Sequence, residues 1–326
     1  MRLRKGARSG RFETTVVTPL TIGITTRNRP AALRRCLASI AATLGRAHEV
    51  LVFDDASTPR ATDQIAGDGA AGLDVRVIRD DRGIGPIAGR NELVARARHE
   101  IVFLMDDDAA VVDTEAIDKA VAVLNADERV AAVAFAQAES DGTPWPERMQ
   151  PGRGRQPARV AAYIGFAHLI RRSVFLTVGG YRADLVFYGE EKDLCIRLID
   201  AGYAVVYLPD ARVAHIPHPA GRDPRRYVRQ VIRNDCLTSL YNEPWPLVAV
   251  GLPARLVRYR RMAARIDGGD AGGLTWILRE LRAAWPNVVR TRRPVSWATL
   301  REWRRLARTV VPYHAPSSSP SSSPRQ

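Results

Sequence analysis

The chain has 326 residues, 46% hydrophobic and 26% charged, proportions that suit one large globular domain or two modest ones and exclude wholesale disorder or a fibrous repeat. No apolar stretch approaches the roughly 18 residues of a membrane span, and Met1-Arg2-Leu3-Arg4-Lys5-Gly6 is not followed by the apolar run of a secretory signal, so the expected location is the cytoplasm. The net charge of +14 is unevenly placed: residues 212–326 carry 21 basic against 7 acidic side chains, while the first two-thirds is balanced. A basic segment of that kind attracts phosphates or anionic lipid headgroups.

Residues 1–16 are basic and aperiodic, and the Ser/Pro run Ser317 to Gln326 cannot bury enough apolar surface to order itself. Between the two ends, strand and helix signals alternate. Leu20 to Thr25 reads as a strand, and Pro30 opens a helix whose Leu33, Cys36, Leu37, Ile40 and Leu44 recur at helical spacing. Glu49 to Phe53 is a strand ending at Asp54-Asp55, Val75 to Ile78 a third, Ile87 to Arg98 a helix, and Ile101 to Met105 a fourth strand running into Asp106-Asp107-Asp108. Further on come an apolar segment from Tyr163 to Ile170, a turn at Gly179-Gly180, a helix opened by Gly189-Glu190-Glu191-Lys192-Asp193-Leu194, and a strand over Ala204 to Leu208. After His215 the pattern is helical, broken by Pro, Trp and Arg. Strands separated by helices imply a doubly wound, mostly parallel α/β sheet with its binding crevice at the carboxyl ends of the strands. Cys36, Cys195 and Cys236, odd in number and far apart, form neither a disulfide framework nor a zinc set and are expected as reduced core thiols.

Polar residues gather at those strand ends. Three aspartates directly after an apolar strand are costly as structure. Alternation along an extended chain puts Asp106 and Asp108 on one side, where both can face one Mg²⁺ or Mn²⁺ or one carboxylate can reach a ribose. Asp54 and Asp55 can accept hydrogen bonds from a base or ribose. Gly83 to Asn91 has glycines spaced G-x-G-x-x-x-G after the third strand, which argues against a dinucleotide fingerprint and for a loop opening a helix, with Arg90 reaching toward phosphate or base. Glu190 and Glu191 sit at a helix start whose dipole favours their ionised form, as a general base requires. His215 is a candidate metal ligand, with His218 three residues on.

In this order, Ile24-Thr25-Thr26-Arg27-Asn28-Arg29-Pro30, Val52-Phe53-Asp54-Asp55-Ala56-Ser57-Thr58, the Gly83 to Asn91 loop, Phe103-Leu104-Met105-Asp106-Asp107-Asp108 and Gly189 to Leu194 with Arg197 resemble the inverting family-2 glycosyltransferases of the GT-A fold, over about residues 18–218. The resemblance implies a GT-A domain over 17–218, split into a nucleotide-sugar half (17–112) and an acceptor half (113–218), followed by a basic helical region (219–313) and a tail (314–326). It implies that Thr25, Arg27, Asp55, Arg90, Asp106 and Asp107 bind the nucleotide sugar, with Asp55 on the base. Asp106 and Asp108 match the family's D-x-D, Asp106 nearer the ribose and Asp108 on Mn²⁺ or Mg²⁺, and His215 completes the metal shell. Glu191 falls at the catalytic base, in a Glu-Glu pair where the family usually has Glu-Asp, which leaves Glu190 and Asp193 as alternatives. The implied partners are a UDP- or dTDP-linked sugar donor and a hydroxyl acceptor, a glycan, lipid-linked or small molecule in cell-surface or secondary-metabolite glycosylation.

The basic last third, with Trp245, Trp276, Trp285, Trp297 and Trp303 among arginines, suits peripheral contact with an anionic membrane surface or a lipid-diphosphate acceptor, and equally a packed helical subdomain. Two other classes fit less well. A nucleotidyltransferase making sugar nucleotides would carry a Gly- and Lys/Arg-rich loop where this chain has Thr25 to Pro30. Nucleic acid is not expected as a partner, because acidic clusters at strand ends repel phosphate without a metal.

Overall fold

The computed structural model describes residues 18–45, 48–217 and 223–316. The basic start, the Ser/Pro tail from Ser317 and His218 lie outside the described residues.

Four parallel strands, β1 (Thr21–Thr26), β2 (Glu49–Asp55), β3 (Val75–Asp80) and β4 (Ile101–Asp106), stand in the order β4-β1-β2-β3. The helices α1 (Pro30–Thr43), α2 (Ala61–Gln64) and α3 (Pro86–Arg96) connect them. Proline at the first turn of α1 and α3 costs no hydrogen bond and presets the helical φ. Both faces of the sheet are covered, so its strands read as continuous apolar runs. Leu51, Phe53, Val102 and Leu104 point into one core with Leu93 and Val94 of α3, while Ile22, Ile24, Val50, Val52 and Phe103 point into a second with Leu33, Leu37 and Ile40 of α1. Each such fully buried side chain contributes about 1.5–3 kcal/mol.

Past the aspartate run, β5 (Ala109–Val111), α4 (Thr114–Ala126), β6 (Val130–Ala138), β7 (Ala158–Arg159), β8 (Ala167–Arg171), α5 (Arg172–Thr177), α6 (Glu190–Asp200) and β9 (Ala204–His215) follow. The sheet continues β4-β8-β6-β9-β7, with β8 antiparallel to both its neighbours and β6 parallel to β9. It is thus mixed and mostly parallel. The strand read as ending at Leu208 runs on to His215 and pairs with β5, placing His215 opposite Ala109.

The C-terminal third forms α7 (Pro224–Asn242), α8 (Trp245–Ala263), α9 (Gly273–Thr291), α10 (Trp297–Arg308) and β10 (Val311–Pro312), the last pairing with β7. Helices α8 and α9 continue through Pro253 and Pro286 rather than breaking there, each giving up one backbone hydrogen bond. Val228, Ile232, Cys236 and Tyr241 of α7 share a core with the sheet residues Leu51 and Phe53. All three cysteines are free and buried. Among the described residues no helix is long and apolar enough to cross a membrane.

Candidate functional site

The loops after β1 and β2 are laced together. Asn28 donates its N–H to Ser57 Oγ (3.0 Å) and accepts the Thr58 N–H (2.7 Å), and both Asn28 and Ala56 take positive φ values of 55° and 59°. Asp55 ends β2, buried, and accepts the Gly85 N–H (3.0 Å) and the half-exposed Arg27 guanidinium (3.4 Å). Gly85 sits at φ 86° before α3, a backbone state that only glycine adopts at no steric cost. Thr25 lies beside Asp106 in the β1–β4 register. Asp54 differs from its neighbour: it accepts the N–H groups of Ser57 and Ala61 and the Arg79 guanidinium. Burial raises its pKa, but these donors outweigh burial and hold it below the usual carboxylate range. Asp54 is a fastening of its own loop, and Asp55 ties β2 to Gly85 and Arg27.

At the end of β4 the three aspartates diverge. The strand stops at Asp106, and Asp107 and Asp108 form a turn into β5, so it is the turn and not strand alternation that sets their directions. Asp106 keeps 31% of its side chain exposed. Asp107, read as a nucleotide-sugar ligand, is buried with both oxygens committed: Thr26 Oγ1 donates to one (2.8 Å) and Arg29 to the other (3.0 Å). Burial pushes Asp107 up to about 6 against Arg29 and Thr26, which lower it. Asp108 is raised by burial and by Asp106, with His215 and Arg29 opposing. Its Oδ2 accepts from Arg29 (3.1 Å), and its Oδ1 stands 3.7 Å from His215 Nε2. His215 is stacked between Trp145 and Phe166, with ring centroids at 5.2 and 4.8 Å. Its Nδ1 lies 2.6 Å from Gln137 Oε1, a contact that fixes the ring with Nε2 on the side of Asp108.

Arg90, expected to reach toward phosphate or base, is turned onto carboxylates. It is buried at the centre of the site and donates to Asp106 (2.5 Å), Glu190 (2.7 Å) and the Gly165 carbonyl (3.2 Å). Burial works against its charge, yet Asp106 and Glu190 hold the guanidinium firmly protonated. Glu190 is buried with one oxygen on Arg90, whereas Glu191 keeps partial access to solvent and accepts the Gly165 N–H (2.9 Å). The Glu191 carboxyl is pushed up to about 8, first by burial and then by the neighbouring Glu190, with Arg90 opposing. Gly165 leaves room for the ends of these side chains: a Cβ there would fall 2.7 Å from Glu191 Oε1 and 3.1 Å from Arg90 Nη1 and would make them shift. Asp193 belongs to another network, fully buried and bound to Arg182, Arg197 and Asn242.

Arg29, Gln137 and Gly165 hold the site together, although the sequence singled out none of them as site residues. So does Asn234 of α7, which donates to the carbonyls of Leu185, Phe187 and Tyr188 at 2.7–2.8 Å and thereby pins the loop before Glu190.

The residues present fit a divalent cation. Asp108 Oδ1 is buried without a hydrogen bond, Asp106 is across the turn, and His215 presents a ligand-type nitrogen, a donor set suited to Mn²⁺ or Mg²⁺. Among the described residues no three or more His, Cys, Asp or Glu side chains close around a cation position. In this arrangement Arg29 supplies the positive charge between Asp107 and Asp108.

Known proteins share this layout. The profile described as Glycosyl transferase family 2 matches residues 21–179. A pre-mycofactocin glycosyltransferase of Mycobacterium tuberculosis is 29% identical over 210 residues, 60% of this chain and 42% of the relative. An N-acetylglucosaminyl-diphospho-decaprenol L-rhamnosyltransferase of the same species is 37% identical over 87 residues, 26% of this chain and 28% of the relative. The chain therefore spans less than half the length of the curated relatives it matches. Among solved structures, a mannosyltransferase from Pyrobaculum calidifontis in complex with GDP-Man and Mn²⁺ superposes with a TM-score of 0.57 at 16% identity, covering 88% of this chain and 83% of that one, a likeness of fold. The aspartate run at the end of β4 and the Asp55 loop lie inside the matched segment: residues 21–179 are a glycosyltransferase family 2 segment, and the chain has the GT-A fold.

Proposed function

We propose that the chain is an inverting glycosyltransferase that moves a sugar from a nucleoside-diphosphate donor, UDP- or dTDP-linked, to an acceptor hydroxyl. The observation that supports this reading is that Arg90 joins the strand-end carboxylate Asp106 to the acid pair through Glu190, while Asp55 stands at the end of the strand two places from β4 in the sheet. Asp55 and Arg27 would hold the base and Thr25 the ribose side. Asp108, Asp106 and His215 would hold Mn²⁺ or Mg²⁺, which when bound neutralises charge on the diphosphate. Glu191, at the mouth of the acid pair, takes the proton of the acceptor hydroxyl. That oxygen forms its bond to the anomeric carbon as the bond to the diphosphate breaks, and the electron pair departs with the diphosphate. Glu190, whose oxygen is taken by Arg90, positions the pair. Attack opposite the leaving group inverts the anomeric centre.

The thermal shift of the full chain with UDP, dTDP, GDP and ADP, each with and without Mn²⁺, tests this reading, since a ligand at about 100 times its dissociation constant adds about 2.7 kcal/mol. A Mn²⁺-dependent shift with one pyrimidine diphosphate is expected; no shift with any of the four refutes the nucleotide site.

The reading extends to a cytoplasmic site of action at an anionic membrane surface, one face of which α8 and α9 supply. Trp245 (53% exposed) and Val250 (75%) on α8 and Leu278, Trp285 and Val289 on α9 are uncovered apolar side chains beside arginines, and the Trp245 and Trp285 rings lie 6.3 Å apart. Apolar wedges amid arginine suit headgroups. Sedimentation with phosphatidylglycerol vesicles at low salt is expected, weakened in Trp245→Ser/Trp285→Ser; absence of binding by the wild type refutes it.

A further inference from the structure

A cleft of about 680 Å³ is walled by the loop that leads into the acid pair at the start of α6, the first turns of α7 and Trp276 of α9. Its loop wall is part of the site's frame. Val186, Tyr188 and Gly189 take φ values of 59°, 70° and 82°, a strained run held by the three Asn234 hydrogen bonds and leading directly into Glu190 and Glu191. The Val186 carbonyl lies within 3.5 Å of where a Cβ on Gly85 would stand, and it is the Gly85 N–H that holds Asp55. The cleft thus adjoins both the donor loop and the base.

Its chemistry is aromatic with a cation at the rim. Phe187, Tyr188 and Tyr227 form an edge-to-face chain with centroids 4.3 and 5.1 Å apart, and Phe187 and Tyr227 stay 43% and 41% exposed. Of the charges, Arg229 is spent on Asp270, bound through Nε at 3.0 and 2.9 Å, and Asp223 caps α7 by accepting the Arg225 N–H. Arg226 is exposed and pairs with no carboxylate among the described residues. We propose that this cleft is the acceptor subsite and takes an acceptor whose flat apolar body bears an anionic group, the ring against Tyr227 and Phe187 and the phosphate or carboxylate on the Arg226 fork. This deepens the reading of Glu191 as base, since the acceptor hydroxyl must come within its reach.

Isothermal titration of the full chain, without metal or nucleotide, uses 1-naphthyl phosphate, 1-naphthoate, 1-naphthol and inorganic phosphate as probes. The aryl anions are expected to bind one to one, with naphthol and phosphate about ten-fold weaker or more. Arg226→Gln weakens the aryl anions about ten-fold and leaves naphthol unchanged, whereas Tyr227→Ala weakens all three aromatic probes. Both side chains are exposed, so neither change threatens folding. The stronger of the two aryl anions tells phosphate from carboxylate. A Trp285→Ala control, on the face away from the cleft, leaves every probe unaffected. Absence of one-to-one aryl-anion binding, or binding that both cleft variants leave unchanged, overturns the subsite even where the Mn²⁺-dependent nucleotide shift is intact. Aryl-anion binding with no nucleotide shift under any condition instead overturns the transferase reading, and with it the acceptor role of the cleft.

Discussion

Replacing Glu191 with glutamine separates what this side chain does for the reaction from what it costs the fold. Its carboxyl is raised from the usual 4.5 to about 8, by burial first and the neighbouring Glu190 second. Between those pH values the folded protein holds a proton that the unfolded chain releases, so its contribution to stability is full below about pH 4.5 and is lost as pH rises through about 8. Taken whole, that interval is worth roughly 5 kcal/mol, and the partial solvent access of Glu191 reduces it to about 2–3 kcal/mol. Glutamine keeps the shape and can still accept the Gly165 N–H, but it never charges. Urea unfolding of wild type and Glu191→Gln from pH 4 to 9 should give equal stability at the acid end and a variant more stable by about 2–3 kcal/mol at pH 9, with unchanged m. Turnover should disappear while the nucleotide shift persists, and wild-type kcat/KM should climb with pH through a midpoint near 8, as a base that must first lose its proton requires. Parallel stability curves would show that the Glu191 carboxyl is not held protonated by the site, and surviving turnover in Glu191→Gln would move the base elsewhere.

Asp108→Asn should remove the Mn²⁺-dependent part of the nucleotide shift and leave the Mn²⁺-independent part, read by the same thermal assay; an unchanged Mn²⁺ dependence would place the cation away from Asp108. Gly165→Ala drives a Cβ against Glu191 and Arg90 and should cost about 1–3 kcal/mol, a fall of about 2–6 °C in Tm, with turnover down at least about ten-fold. Asn234→Ala leaves the carbonyls of Leu185, Phe187 and Tyr188 without their donor. It should lower kcat about ten-fold or more with donor KM unchanged, and a loss confined to donor KM would contradict the role of that loop in placing Glu191.

The carboxylates were legible because each is expensive: Asp55 and Asp106 end apolar strands with Asp108 in the turn that follows, and Glu190-Glu191 opens a helix, positions where a polar side chain without a task is destabilising. Their neighbours were not, since they come from topology. Arg90 stands out in the sequence, but its partners Asp106 and Glu190 lie 16 and 100 residues away, and no local pattern separates a guanidinium aimed at phosphate from one buried between carboxylates. His215 reaches Asp108 only because β9 runs on through Pro209 and pairs with β5, against the usual reading of proline as a strand end. Likewise β6, Val-Ala-Ala-Val-Ala-Phe-Ala-Gln-Ala, has the alanine content of a helix and becomes a strand because it is enclosed on both faces, burial overriding propensity. Gly165 and Asn234 have no signature at all, since their value lies in atoms supplied by α6 and the loop before it. The consequence for the site is physical. Arg90 ties the strand-end aspartate, on the proposed donor side, to the acid pair, on the proposed acceptor side, so charge arriving at Asp106 alters the field at Glu190 and Glu191 through a single buried guanidinium. A cation drawing Asp106 toward itself would loosen the hold of Arg90 there and leave more of its positive charge to the acid pair, lowering the cost of an ionised Glu191 when the donor is in place.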